Sequence, residues 1–192
     1  MTPFEYVIVL VSIVLGLSIT RLLSGVGEML QARNHAKQYW VHNLWVLNVF
    51  MYNLMIWWVT YRWTTWSKGH SWNFFLFAFI LLAPIVLYLL AVLLFPDEIP
   101  QAADMREHFS SIQKPFFLLF AALPIIDLAD TLLKGLEHFR EQNPIYLPGA
   151  LLFAVGSTYA ASTRRARFHA TFGLTYLAFL TIYIWFNLRT LS

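Results

Sequence analysis

Residues 74–95 read FFLFAFILLAPIVLYLLAVLLF and contain no charged or amide side chain. An α-helix rises about 1.5 Å per residue, so about 20 apolar residues cross the roughly 30 Å hydrocarbon core of a bilayer. This stretch is long enough, and the uncharged run around it extends from 69 to 96. It predicts a transmembrane helix.

The composition of the whole chain agrees with this prediction. Of 192 residues, 59% are hydrophobic and only 12% are charged, whereas soluble chains are about a quarter charged. These values exclude an ordinary soluble domain and a disordered chain. The net charge of +3 is spread over short polar stretches, so we expect no nucleic-acid partner. The absence of cysteine excludes disulfides, iron–sulfur clusters and covalent c-type haem.

Further runs predict additional spans. The runs 38–61, 142–163 and 168–188 are uncharged, while 6–27 contains Arg21 and 115–133 contains Asp127 and Asp130. We therefore predict an all-α fold: a polytopic transmembrane bundle of six helices in a single domain, 1–192. The expected helices lie near 6–27, 39–61, 72–95, 115–134, 145–162 and 169–188.

The longest polar connection, 97–114, has an amphipathic pattern. Ala102, Met105, Phe109 and Ile112 recur at helical spacing among charged residues. This pattern predicts a short helix lying in the membrane interface.

The basic residues predict the orientation, because Lys and Arg are more frequent in cytoplasmic connections. With six crossings, eight of the 13 Lys and Arg residues fall on one side, among them Arg33 and Lys37. This distribution places both termini outside the cytoplasm. No basic segment precedes 6–27, so we interpret it as a retained helix and not as a signal peptide.

Small residues at four-residue spacing indicate faces where helices approach closely. We expect two such seams, and a stripe on the second helix places Asn53 where it would hydrogen-bond to a neighbouring helix. The seams are Ser12, Gly16, Thr20 and Ser24 in the first helix and Ala150, Ala154, Thr158 and Ser162 in the fifth.

Arg21, Asp127 and Asp130 are costly within lipid and must face protein or water. Thr131 and Lys134 share the helix face of the two aspartates, and Lys134 stands four residues after Asp130, the favourable order for an ion pair. In a structural interpretation, Lys134 neutralises Asp130 while Arg21 reaches toward Asp127. In a functional interpretation, these residues line a hydrated path for a proton, a cation or a small solute.

The two charge-interrupted helices are the first and the fourth, which would correspond in a 3+3 inverted repeat, an arrangement known from transporters. The segments 20–25 (TRLLSG) and 130–135 (DTLLKG) share two leucines and a glycine. This similarity gives the hypothesis of an inverted repeat centred on the first and fourth helices.

Histidines suggest a third class of function. His42 and His169 fall at inner helix ends and His70 and His138 at outer ends, so either pair could hold haem b axially, as in an electron carrier. The commoner explanation is interfacial histidine, and we predict no cofactor and no metal site. Motifs of known enzymes and nucleophile–base pairs are absent, which favours a protein that is not an enzyme and leaves lipid or polyprenyl chemistry as an open alternative.

The opening Phe4-Glu5-Tyr6, the segment 94–97 (LFPD) and the segment 127–135 resemble a group of small uncharacterised bacterial polytopic membrane proteins. No activity is attached to that group, so the resemblance implies no functional residue. It does favour the bacterial inner membrane. The leading hypothesis is transport through a polar interior. The alternative is an accessory or scaffolding subunit, with the lipid bilayer, a second copy or another membrane protein as partner.

Overall fold

The structure is a computed structural model that describes residues 3–34, 36–60, 63, 73–96, 104–142 and 144–187. Within these ranges the chain is all-α, with seven α-helices and no strand. The helices are α1 (Pro3–Gln31), α2 (Trp40–Thr60), α3 (Phe74–Leu94), α4 (Met105–Leu133), α5 (Leu136–Glu141), α6 (Tyr146–Ser162) and α7 (Ala166–Asn187), and a 3-10 turn (Ala32–Asn34) follows α1.

Four helical segments are long and apolar enough to cross a membrane: Phe4–Asn34, Phe74–Leu94, Met105–Leu133 and Ala166–Phe186. α2 has 21 residues but carries His42 and three asparagines, and α6 has only 17 residues. Large apolar side chains such as Val9, Ile13 and Leu17 on α1 are more than half exposed. Long apolar helices with exposed apolar faces are compatible with an integral membrane protein.

Local sequence accounts for the ends of these helices. The side chain of Asn73 accepts a hydrogen bond from the Leu76 amide at 2.9 Å at the start of α3, and Asp104 does the same for Arg106 at the start of α4. Between α4 and α5 lies Gly135, whose φ of 114° is unfavourable for residues with a Cβ. Glycine therefore permits the sharp break after Lys134.

Each half of the chain packs differently. α1 packs on α2 and α3, whereas α4 packs on α3 and α6, and α2 packs on α7. In a 3+3 inverted repeat, α4 would pack on α7 as α1 packs on α3. In the described residues α4 instead packs closely on α6 and meets α7 mainly through aromatic rings, so the packing does not confirm the predicted repeat.

The predicted interfacial helix is wrong for residues 105–114, which form the first part of the continuous helix α4. Met105 and Phe109 are fully buried against protein instead of lying on lipid. The rings of Tyr39 and His42 pack on Phe109, with centroids 6.0 and 6.3 Å away. Residues 97–103 of that segment lie outside the described residues.

Aromatic rings fill the core around Trp45, which is completely buried. Its ring centre lies 4.8 Å from that of Phe117 and 5.2 Å from that of Phe120, both edge to face. Phe120 in turn contacts Tyr176 of α7 at 4.9 Å. This aromatic cluster joins α2, α4 and α7, and its rings fill the space between these three helices.

The predicted seams do not join helices within the described part of the chain, because α1 and α6 are rotated relative to the expectation. On α1, Gly16, Thr20 and Ser24 are exposed, and the buried face carries Val11, Leu15 and Leu22. On α6 the exposed positions include Thr158 and Ser162, and the buried face carries Gly149, Phe153, Ser157 and Ala160. The ring of Phe95 packs over Gly25 of α1, and the ring of Phe172 packs over Gly156 of α6.

Candidate functional site

A cavity of about 600 Å³ adjoins the polar face of α4. Asp127, Asp130, Thr131 and Lys134 all line it, since a spacing of three and four residues places them on one helix face. Pro124 lines the cavity one turn earlier. Proline has no amide hydrogen, so α4 lacks one of its backbone hydrogen bonds at this point.

Helices from both halves of the chain line this cavity, which we call the Asp127 cavity. Its walls come from α2, α3, α4, α6 and α7, together with Trp63, His138 and Gln142. Most of the lining side chains away from α4 are apolar or aromatic, including Ile80, Leu180 and Phe179. No residue of α1 lines it, so the expected polar interior between the first and fourth helices is wrong for the described residues.

Asp127 accepts a hydrogen bond from a neutral side chain on a neighbouring helix. The hydroxyl of Tyr146, in the first turn of α6, donates to Asp127 Oδ2 at 2.8 Å. The buried Thr131 hydroxyl lies 2.9 Å from the same Tyr146 oxygen. Ion pairs among the described residues join Lys37 to Asp104 and Lys134 to Asp130, and neither involves Asp127.

Asp130 and Lys134 form the ion pair expected from their spacing. The Lys134 ammonium also lies 4.5 Å from the centre of the Trp63 ring, which is buried. A cation over an indole face is attracted by the ring quadrupole. The cavity wall therefore binds one ammonium group with a carboxylate and an aromatic ring together.

Arg21 does not reach Asp127, and the expected contact between them is wrong. Its Nη2 donates to the carbonyl oxygens of Phe95 and Pro96, each at 3.0 Å. These carbonyls follow the last turn of α3, where a helix has free acceptors and a partial negative charge. The physical reason for the correction is that α1 packs on α3 and not on α4.

Two histidines bind the same helix end, a role that the sequence analysis missed. Nε2 of the buried His42 lies 2.7 Å from the Leu94 carbonyl oxygen, and Nε2 of His108 lies 3.1 Å from that of Leu93. Side chains from α1, α2 and α4 thus converge on the C-terminal end of α3. The sequence offers one indication of this role. The apolar run ends before Pro96, which marks the end of a helix, and the last four carbonyls of a helix need hydrogen-bond donors from elsewhere.

His42 and His169 do not fit the expected haem site. Nε2 of His42 is engaged with a backbone carbonyl, and Nε2 of His169 lies 2.9 Å from the Thr163 carbonyl oxygen. The ring of Phe109 contacts both imidazoles, at 6.3 and 5.8 Å between centroids. Axial ligation would require both nitrogens to leave these bonds. His70 lies outside the described residues, so the predicted pair of His70 with His138 stays a prediction.

Asn53 bonds within its own helix, so the expected contact with a neighbour is wrong. Its Nδ2 donates to the Val49 carbonyl at 2.8 Å. Asn48 is the residue that connects α2 to α7, donating to the Gly173 carbonyl at 3.1 Å. Gly173 favours this close approach, because a Cβ there would come within 2.8 Å of the Leu44 side chain.

The described residues contain no group of three or more His, Asp or Glu side chains placed to hold a metal ion. The fold and the site thus define an α-helical chain compatible with a membrane protein, with a cavity that contains a carboxylate. The chain matches no protein-family model, no curated protein and no solved structure.

Proposed function

We propose that this chain is an integral membrane protein that binds a small cationic solute in the Asp127 cavity and carries it across the membrane. The observation that supports the proposal is a carboxylate, Asp127, that lines a cavity of about 600 Å³ without an ionic partner among the described residues. Ionisable residues within membrane helices usually serve a function.

The charge of the cavity favours a cation. Among the described lining residues, Asp127 and Asp130 carry two formal negative charges and Lys134 carries one positive charge. The remaining negative charge attracts a monovalent cation, and the surrounding apolar side chains reduce its screening by water. An anionic solute would meet repulsion at the same position.

The packing favours a carrier over an open pore. Tyr52 and Tyr176 line the cavity, and both contact Phe120 of the aromatic cluster. The rings of that cluster fill the bundle on that side, so a bound solute can leave there only if helices move. Pro84 of α3 and Pro124 of α4 both line the cavity. Because helices commonly bend at proline, these two residues are suitable places for such a movement.

The proposal includes six crossings, with α2 and α6 as the shorter or more polar spans, in the bacterial inner membrane. With an even number of crossings both termini lie on one side, and the distribution of Lys and Arg favours the outer side. The test is a reporter that is active only in the cytoplasm, fused to either terminus. Activity of such a fusion would contradict this orientation.

The function is tested in proteoliposomes under an imposed inside-negative potential. Uptake of rubidium, methylammonium and 1-methyl-4-phenylpyridinium is measured for the wild type, Asp127→Asn and the control Glu107→Gln, which removes an exposed carboxylate of α4. We expect uptake of at least one cation, lost in Asp127→Asn and retained in the control. Uptake equal to that of empty liposomes for all three cations, or unchanged in Asp127→Asn, would overturn the proposal.

One observation favours the second candidate, an accessory or scaffolding subunit. The small residues Gly16, Thr20 and Ser24 of α1 are exposed, and a Cβ at Gly16 would meet no atom within 4 Å. Such a face lets another transmembrane helix approach closely. Because the chain has no cysteine, a single Gly16→Cys variant tests it. Disulfide dimers formed by this variant, but not by Ile182→Cys on α7, would support a second copy on this face.

A further inference from the structure

We infer that the solute is an organic ammonium or related cation with an apolar body, and not a bare proton or a hydrated inorganic ion. This inference rests on the proposed function and names the chemical class of its substrate. It follows from the size of the Asp127 cavity, the distribution of polar atoms on its wall, and the way that the wall already holds the ammonium of Lys134.

The cavity has the size of a small-molecule site. Its volume of about 600 Å³ falls within the roughly 300–1,000 Å³ of ligand pockets in proteins. A hard inorganic cation instead needs about six oxygen ligands at short range. The charged side chains Asp127, Asp130 and Lys134 all lie on α4, and most of the remaining lining is apolar or aromatic and offers few oxygen ligands to such an ion.

The other walls suit a hydrocarbon or aromatic body. Ile80, Ala83 and Pro84 of α3 line the cavity, as do Phe179 and Leu180 of α7. An inorganic ion in contact with these side chains would lose hydration without compensation. An apolar group there would remove hydrophobic surface from water, which is favourable.

The internal ammonium of Lys134 shows the recognition that we expect for the solute. Its Nζ is paired with Asp130 and lies over the Trp63 ring. Asp127 offers a second carboxylate one turn away, and Tyr52, Tyr176 and Tyr183 add aromatic rings to the same cavity. A carboxylate beside aromatic faces binds organic cations through charge and cation–π attraction.

Binding measurements in nanodiscs separate the two parts of this recognition, with empty nanodiscs as the blank. The probe is 1-methyl-4-phenylpyridinium. Tetramethylammonium has the charge without the body, and 4-phenylbenzoate has a similar body with the opposite charge. We expect the probe to bind at least tenfold more tightly than either analogue. We also expect Asp127→Asn to weaken its binding about tenfold, and Glu107→Gln to leave it unchanged.

A second variant tests the role of the volume. Ala150→Phe fills part of the cavity without changing its charge. We expect it to weaken binding of 1-methyl-4-phenylpyridinium about tenfold, while circular dichroism and thermal unfolding show that the variant is folded. Probe binding unchanged in Ala150→Phe, or equal for the cationic and anionic probes, would overturn the inference.

The outcomes distinguish this inference from the function on which it rests. Rubidium uptake that depends on Asp127, with no binding of 1-methyl-4-phenylpyridinium, would overturn the substrate class and leave the carrier proposal in place. Neither uptake nor binding of any cation would overturn both. Binding and uptake of the pyridinium, each lost in Asp127→Asn, would support both.

Discussion

Arg21 and Phe95 are joined twice: Nη2 of the guanidinium donates to the Phe95 carbonyl oxygen at 3.0 Å, and the guanidinium carbon lies 5.9 Å from the centre of the Phe95 ring. The same nitrogen reaches the Pro96 carbonyl. A positive charge at the C-terminal end of a helix is stabilised by free carbonyls and by the helix dipole. Arg21 therefore connects α1 to α3 and stands apart from the Asp127 cavity.

We expect Arg21→Met to destabilise the protein. The substitution removes two charge-assisted hydrogen bonds to carbonyls that are partly buried, at a cost of about 1–3 kcal/mol. Arg21→Lys should cost less, because it retains the charge and one donor. Thermal unfolding in detergent, followed by circular dichroism, measures both. The control is Arg167→Gln at an exposed position, which should unfold like the wild type. Equal stability of Arg21→Met and the control would contradict the prediction.

Two glycines of α1 should respond in opposite ways to alanine. A Cβ at Gly25 would overlap the ring of Phe95, whereas a Cβ at Gly16 would meet nothing within 4 Å. We expect Gly25→Ala to destabilise by about 1–3 kcal/mol, as overpacking usually does. Gly16→Ala should be neutral or stabilising by up to about 1 kcal/mol, because alanine is the better helix former. Chemical unfolding of the two variants side by side tests this difference, and similar effects in both would count against the packing of α1 on α3.

The charge of the cavity wall should set the affinity for a cation. Lys134→Gln removes a positive charge and should tighten binding of 1-methyl-4-phenylpyridinium, whereas Asp130→Asn should weaken it. Each change should be about tenfold, since unit charges several Å apart interact by more than 1 kcal/mol at a dielectric constant near 20. The double variant restores the net charge and should return the affinity toward the wild type. If neither substitution changed the affinity, the charges of Asp130 and Lys134 would not contribute to binding of the solute.

Gln113 should be required for the junction of α4, α6 and α7. Its side-chain amide donates to the carbonyls of Ala160 and Thr163, at 2.9 and 2.6 Å, at the end of α6. Gln113→Leu removes a donor from both carbonyls, of which only that of Thr163 keeps a side-chain partner, His169, and we expect a loss of about 1–3 kcal/mol. Ser111→Ala, on the exposed face of the same helix, is the control for thermal unfolding. A melting temperature shared by both variants would argue against this role.

Features determined by neighbouring residues could be predicted from the sequence. Hydropathy and run length placed the long apolar helices, and a four-residue spacing gave the ion pair of Asp130 with Lys134. Both depend on helix geometry alone. Contacts between helices could not be predicted in this way, because they depend on which helices are neighbours and on how each is rotated about its axis.

Arg21 and the asparagines of α2 illustrate that limit. Predicting a partner for Arg21 required knowing that α1 packs on α3, and the carbonyl of Phe95 is 74 residues away in the chain. Asn48 and Asn53 look alike in sequence, yet only Asn48 faces the backbone of Gly173 on α7. Tyr146 could not be found as the donor to Asp127 without the antiparallel arrangement of α4 and α6 that brings it there.

The convergence of Arg21, His42 and His108 on the last carbonyls of α3 has a consequence for biogenesis. While only the first two helices have been synthesised, Arg21 and His42 lack their acceptors at the end of α3, because residues 94–96 have not yet been made. The contacts of Arg21 and His42 with α3 can form only after residue 96 has been synthesised, and the contact of His108 then links α4 to the same helix end. Early nascent chains should thus depend on the insertion machinery, or on chaperones in the membrane, to shield these side chains.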